Sequence, residues 1–274
     1  MHNIWWLNDP DCLLVRVDKR FNLYETNTQL SVLGMTGGIM LLSDDLSKLK
    51  HERLNLLNKI LPVSSLLKGS PNSYTETSYP NVFYCRGMVP KLGDADIYAF
   101  VNWYDNDQVI NILPWLKKLA YCKESFDIKK TFLWDFWNEC PITKYQNVHF
   151  NPHETVLVLS TKISSVKNNE AVLIGNSINM MGQSDRRIQG VYYGKNKQME
   201  IFISDVESNE GKLWIAVPCD LIPSISNSIK VENGKICKIE DYMPFAGKEK
   251  MKLIELFTKK YQKDSLLWTI SVHF

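Results

Sequence analysis

The chain has 274 residues, of which 45% are hydrophobic and 23% are charged. This length and composition provide for one large folded domain or two to three smaller ones, and they exclude a disordered chain. Lys and Arg number 32 against 30 Asp and Glu, leaving a net charge of +2 without a basic block. A dedicated nucleic-acid binder, which needs concentrated phosphate contacts, is therefore excluded. The longest apolar runs are far shorter than the eighteen residues of a membrane span, so no membrane partner is expected.

The cysteines and the first residues bear on location and cofactors. The N-terminus lacks the charged and long apolar regions of a secretory signal, so we expect a cytoplasmic location. The 6 cysteines are widely spaced without a CxxC pair, which argues against a zinc site or a disulfide framework. No cofactor is expected. The 8 Trp, 12 Tyr and 11 Phe suit either stacking on sugars or the packing of a β-rich core.

The first seventy residues have the pattern of an α/β protein. Continuous apolar runs at 4–7 and 39–42 predict two parallel strands buried on both faces. Helical spacing predicts helices over about 24–35 and 51–61, the second ended by Pro62. The predicted order is strand, helix, strand, helix.

Short alternating runs separated by turn residues dominate the rest of the chain, which predicts antiparallel β-structure. The segment 248–260 is compatible with a helix or an amphipathic strand. The predicted strands are 82–86, 97–103, 109–112, 132–136, 155–159, 171–174, 198–203, 212–217, 225–231, 235–239 and 266–273.

The sequence Asn8-Asp9-Pro10-Asp11-Cys12 is the strongest candidate for a functional site. It places two carboxylates around a rigid proline at the carboxyl end of the predicted strand 4–7, where α/β barrels build their sites. Two close carboxylates can act as acid and base, or can accept hydrogen bonds from sugar hydroxyls. The alternative is a turn that only ends the strand.

Other polar positions favour structural roles. The Ser-Asp-Asp sequence at 43–45, with Ser47 behind it, is typical of a strand-ending turn and a helix cap. Gly37 and Gly38 indicate a helix exit rather than a phosphate loop. His153 follows a proline and is interpreted as a turn residue.

Three tryptophans, Trp103, Trp134 and Trp137, lie at strand spacing in the predicted sandwich. Residues at such positions most often pack in the core, and the alternative is a platform on which sugars stack.

The chain resembles the α-galactosidase (melibiase) clan of retaining glycoside hydrolases. The first motifs are WLNDPDCLLVR at 6–16 and GGIMLLSDDL at 37–46, followed by Arg53-Leu54 and Leu61-Pro62. They are similar to the last two βα units of that family. FVNW at 100–103, WDFW at 134–137 and PHETVLVL at 152–159 resemble its C-terminal β-domain, so the resemblance covers residues 1 to about 160.

The resemblance implies an α/β plus all-β fold. The last two βα units of a TIM-type (β/α)8 barrel would occupy 1–70, an antiparallel β-sandwich domain 71–163, and an additional β-rich domain 164–274. It also implies that Asp11 and Cys12 line a galactose pocket, and that Asn8 and Asp9 shape the loop behind them. Cys12 stands where related enzymes have Met.

The implied function is part of a retaining glycoside hydrolase acting on terminal α-galactosides or related α-glycosides. Its partners would be a carbohydrate substrate and the missing N-terminal part of the barrel. In that family the nucleophile and the acid/base precede the first motif, about 5 to 5.5 Å apart as retention requires, so no catalytic residue is expected here. The alternative is a non-catalytic carbohydrate-binding or accessory protein. Transglycosylation by a complete protein also stays open.

Overall fold

A computed structural model describes residues 12–17, 21–37, 39–63, 72–74, 78–87, 95–120, 126–162, 170–222, 229–244, 250–261 and 265–274. The helices are α1 (Leu23–Thr36), α2 (His51–Asn58) and α3 (Leu113–Leu119). The strands are β1 (Cys12–Leu13), β2 (Leu41–Leu42), β3 (Asn72–Tyr74), β4 (Val82–Cys85), β5 (Ala95–Val101), β6 (Gln108–Ile110), β7 (Thr131–Asp135), β8 (Cys140–Pro141), β9 (Val148–Phe150), β10 (Thr155–Lys162), β11 (Val172–Asn176), β12 (Ile188–Tyr193), β13 (Gln198–Ser204), β14 (Glu210–Pro218), β15 (Lys230–Glu232), β16 (Gly234–Tyr242), β17 (Met251–Lys259) and β18 (Leu267–His273).

Three antiparallel sheets contain most of these strands. Sheet I has the order β3-β4-β5-β10-β7-β8, sheet II has β11-β14-β17-β16, and sheet III has β12-β13-β18-β15. Two small sheets add the antiparallel pair β6-β9 and the parallel pair β1-β2. Among the described residues, no helix combines the length and the apolar character needed to cross a membrane.

Sheet I is buried on both faces. In β5 the side chains of Ile97, Ala99 and Val101 point into a central core shared with sheet II. Those of Tyr98 and Phe100 point to the opposite face, into an outer core closed by α3 and the β6-β9 pair. The strand therefore carries apolar residues at consecutive positions, as buried strands do in general.

Sheet II is likewise covered on both faces. In β14, Trp214 and Ala216 belong to the central core. Leu213, Ile215 and Val217 belong to a C-terminal core that sheet II shares with sheet III. The three sheets are thus stacked, each pair separated by a layer of apolar side chains.

Helix α1 packs on sheet I. A capping box starts it: the side chain of Asn22 accepts a hydrogen bond from the Glu25 amide, and the Glu25 carboxylate accepts one from the Asn22 amide. Leu30 and Met35 are fully buried in the central core. The Thr28 hydroxyl lies 2.7 Å from that of Thr155 in β10, which fixes the helix against the sheet.

The end of α2 is joined to the segment 177–187 by three hydrogen bonds. The Asn179 side-chain amide donates to the Leu61 carbonyl (2.9 Å), and the Met180 amide donates to the Lys59 carbonyl (2.8 Å). The Arg187 guanidinium donates to the Pro62 carbonyl (2.8 Å) and forms an ion pair with the buried carboxylate of Asp185. This segment therefore connects the helical part of the chain to sheet III, which begins at β12.

The prediction that residues 1–70 form the last two βα units of a TIM-type barrel is wrong. The described chain has 18 strands in five sheets and three helices, and the helix α1 covers an antiparallel sheet. β1 and β2 are two residues long, and Leu41 and Leu42 are 49% and 39% exposed, whereas barrel strands are buried on both faces. The apolar run at 4–7 lies outside the described residues. The division at 71 and 164 stays a prediction.

Candidate functional site

An open pocket of about 340 Å³ lies beside α1 and is called the α1 pocket here. One wall is a face of α1 at the edge of its contact with sheet I, and the other is formed by residues that follow β5 and precede β10. Its lining residues are Phe21, Glu25, Thr28, Gln29, Val32, Leu33, Trp103 and His153.

The helical wall follows from the spacing of its residues. Glu25, Thr28, Gln29 and Val32 are three or four positions apart, so they share one face of the helix. The capping box with Asn22 holds the Glu25 carboxylate through one oxygen, which accepts the Asn22 amide hydrogen at 2.7 Å. The start of the helix thus fixes the acidic end of the pocket.

Gln29 connects the pocket to strand β1. Its side-chain nitrogen donates to the Cys12 carbonyl (3.1 Å), and its side-chain oxygen accepts from the Leu14 amide (3.3 Å). The predicted site residue Cys12 is therefore directly behind the pocket wall, although it is absent from the lining. The other predicted site residues, Asn8, Asp9 and Asp11, lie outside the described residues.

Trp103 forms the aromatic wall. Its indole N–H donates to the Pro80 carbonyl at 2.7 Å, which fixes the orientation of the ring. The residue is nevertheless 37% exposed. A large apolar ring is thus held in position and open to solvent on the pocket side.

His153 joins the two walls. It occupies the turn before β10 with a positive φ of 56°, and its carbonyl accepts a hydrogen bond from the Thr28 hydroxyl at 2.7 Å. The ring nitrogen Nε2 lies 2.8 Å from a carboxylate oxygen of Asp105. The interpretation of His153 as a turn residue is confirmed, and the residue also lines the pocket.

The other two tryptophans belong to the protein interior, as predicted. Trp134 is fully buried and its ring centroid lies 4.6 Å from that of Trp214. Trp137 is partly buried against the central core, and its indole N–H donates to the Ser31 hydroxyl at 2.7 Å. Trp103 differs because β5 ends at Val101, two residues before it, so that Trp103 lies beyond the strand predicted to contain it. The polar sequence 105–107 that follows is the signal that could have separated it from the core.

The Ser-Asp-Asp sequence at 43–45 has the predicted structural role. A carboxylate oxygen of Asp44 accepts from the amides of Val15 (2.6 Å) and Arg16 (3.2 Å). Asp45, and not Ser47, is the cap of the short 3-10 helix that follows, because it accepts from the Ser47 amide. Neither carboxylate lines the α1 pocket.

The pocket offers groups for binding rather than for a two-carboxylate reaction. Among the described lining residues, Glu25 is the one with a carboxylate, and Thr28, Gln29, His153 and Trp103 line the pocket with it. Within the described part of the chain, no group of three or more His, Cys, Asp or Glu side chains is placed to hold a metal ion.

No protein-family profile and no curated protein matches the chain. Among solved structures, it is similar to the isomalto-dextranase of Arthrobacter globiformis T6 in complex with panose, with a TM-score of 0.35 and 8% sequence identity. The alignment covers 92% of this chain and 48% of that one, so the chain spans about half the length of that protein. A similarity at this level assigns neither a family nor a function.

Proposed function

We propose that the chain binds carbohydrate in the α1 pocket. A sugar ring presents a face of C–H groups and a rim of hydroxyls, so its site needs an aromatic ring together with directional polar groups. The observation that carries the proposal is the position of Trp103, held open to solvent across from Glu25 and Gln29.

The size and charge of the pocket favour a small neutral ligand. A volume of about 340 Å³ is at the lower end of the range for small-molecule sites. The described residues of its lining include no Lys or Arg, and nucleic acids and other polyanions need such cations. One or two neutral sugar units fit this description.

Terminal α-galactosides are the first ligands to test, because residues 1 to about 160 resemble the α-galactosidase clan. Binding without hydrolysis is the expected outcome for this chain. Retention requires a nucleophile and a separate acid/base, whereas the described residues of the lining include one carboxylate, that of Glu25, which already accepts a hydrogen bond within the capping box.

A titration of the chain with methyl α-galactoside, melibiose and isomaltose, followed by calorimetry, tests the proposal. Trp103→Ala should weaken binding about tenfold, since an aromatic ring contributes both buried area and stacking. Glu25→Gln should also weaken binding while keeping the helix start, because Gln serves in a capping box as well as Glu does.

Tyr193→Ala is the matched control, because Tyr193 is an exposed aromatic residue of β12 that is absent from the pocket lining. Equal affinities of Trp103→Ala and Tyr193→Ala would contradict the proposal. Release of galactose from melibiose by the wild-type chain would contradict its non-catalytic part.

A further inference from the structure

A second and larger concave surface, called the polar groove here, has a volume of about 620 Å³. One wall is α2, on which His51, Asn55 and Asn58 are four and three positions apart and so share one face. The facing wall includes Asn209 and Lys212, at the turn between β13 and β14 and in β14 itself.

Ion pairs surround the groove. Lys59 lies 3.3 Å from Glu139, and its ammonium is also above the rings of Phe136 (5.4 Å) and Trp137 (5.7 Å). Glu139 has a positive φ of 51°, which is unusual for a residue with a side chain. The lining of the groove therefore includes a pair of opposite charges.

The remaining lysines leave a net positive charge at one end. Lys212 pairs with Glu255 at 2.9 Å, and Lys259 pairs with Glu210 at 3.6 Å. For Lys260, no carboxylate of the described residues lies within ion-pair distance. This ammonium is available to an anionic group of a ligand.

The groove continues past this charge into an adjoining pocket of about 230 Å³, since Lys259 and Lys260 line both. The second pocket contains Tyr261, which is 73% exposed, and Trp268. Aromatic rings at its end supply stacking surfaces. Amide and hydroxyl groups, a cation and aromatic rings thus follow one another along one continuous surface.

We propose that the polar groove binds an acidic oligosaccharide, of the class of uronic-acid oligomers. Side-chain amides such as those of Asn55 and Asn209 both donate and accept, as sugar hydroxyls require. Lys260 pairs with a uronate carboxylate, and Tyr261 stacks on a neighbouring ring. The inference is independent of sugar binding in the α1 pocket.

Two other classes of ligand fit less well. Nucleic acids need several cations that are free to neutralise phosphates, whereas three of the four lysines among the described lining residues already pair with carboxylates. A peptide that adds to a sheet needs an open strand edge, and β17, which carries Lys259, is paired on both sides by β14 and β16.

The test uses trigalacturonate as the acidic probe and maltotriose as the neutral one, measured by calorimetry at low and physiological salt. The wild-type chain should bind trigalacturonate more tightly than maltotriose. Lys260→Glu should weaken trigalacturonate binding about tenfold, because a charge-assisted hydrogen bond is replaced by repulsion. Tyr261→Ala should also weaken it.

Lys117→Glu is the control for net charge, because Lys117 is an exposed residue of α3 outside the groove lining. Trp103→Ala distinguishes the polar groove from the α1 pocket, because it should leave trigalacturonate binding unchanged. A failure of the proposal for the α1 pocket would therefore not affect the proposal for the groove. Equal effects of Lys260→Glu and Lys117→Glu, equal affinity for both probes, or no binding of trigalacturonate would each overturn the inference.

Discussion

The carboxylate of Asp135 should set part of the pH dependence of stability. Asp135 ends β7 and is 5% exposed. Burial raises the pKa of this carboxyl group to about 6, with a smaller contribution from the charge of Glu154. Hydrogen bonds from the amides of Trp137 (3.1 Å) and Asn138 (3.2 Å) and from the Asn138 side chain oppose that rise in the pKa without cancelling it.

The direction in which the free energy of unfolding changes with pH follows from the proton that Asp135 binds. Between the ordinary value of 3.8 and the folded value of about 6, the folded state binds the proton and the unfolded state has released it. The free energy of unfolding therefore falls as pH rises through this window. A difference of about two pKa units corresponds to about 3 kcal/mol, present below pH 4 and lost above pH 6.

Asp135→Asn removes this titration while keeping an oxygen that accepts from the Trp137 and Asn138 amides. Relative to the wild type, the variant should gain about 3 kcal/mol in the free energy of unfolding between pH 4 and pH 7. Urea unfolding followed by tryptophan fluorescence at several pH values measures this difference.

Asp45→Asn is the control, because Asp45 is exposed and the Lys48 ammonium and the Ser47 hydroxyl hold the pKa of its carboxyl group below the ordinary value. Its substitution should leave the difference from the wild type nearly constant between pH 4 and pH 7, because this carboxyl group titrates below that range in both the folded and the unfolded state. A difference between Asp135→Asn and the wild type that stays constant from pH 4 to pH 7 would refute the reasoning.

Two further predictions concern stability. Arg187→Ala should lower the free energy of unfolding by about 3 to 5 kcal/mol, because the Asp185 carboxylate, 1% exposed, loses the Arg187 guanidinium and the Pro62 carbonyl loses a donor. The same unfolding titration measures it, and a loss below about 1 kcal/mol would mean that water replaces the guanidinium. Asn22→Ala should lower the free energy of unfolding by about 1 kcal/mol through loss of the helix cap. It should also weaken sugar binding in the α1 pocket, since Glu25 loses its fixed position. Unchanged affinity by calorimetry would show that the helix cap is not needed for binding.

Much of the β-structure was predictable, because the strands are short apolar runs bounded by turn residues. The predicted strands at 97–103, 155–159 and 212–217 correspond to β5, β10 and β14, and the ambiguous segment 248–260 contains the strand β17. The predicted helices correspond to α1 and α2. Sequence reasoning missed α3 and β12.

The predicted barrel failed for a physical reason. A continuous apolar run indicates burial without specifying the partner, and a run of four such residues at 39–42 was interpreted as a parallel barrel strand. In the structure the apolar face of α1, which includes Leu30, is covered by an antiparallel sheet, while Leu41 and Leu42 are exposed. Local motifs did not carry information about that long-range packing.

Individual residues of the α1 pocket could be identified from the sequence, but not their arrangement into one site. The sequence predicts a core position for Trp103, with sugar stacking as the weaker alternative, and a turn position for His153. The α1 pocket exists because the Thr28 hydroxyl reaches the His153 carbonyl across 125 positions of sequence. Spacing within the chain contains no signal for such a contact.

The central core also affects the order in which the chain folds during synthesis. It contains side chains from Leu13 to Leu253, so sheet I leaves the ribosome long before sheet II can cover it. At ordinary translation rates, the interval between Leu159 and Leu253 lasts on the order of ten seconds. During that time the apolar face around Ala99 and Leu159 is uncovered, and nascent chains with such surfaces associate readily. Slow translation or low chaperone capacity should therefore reduce the yield of this protein more than that of a protein whose core closes locally.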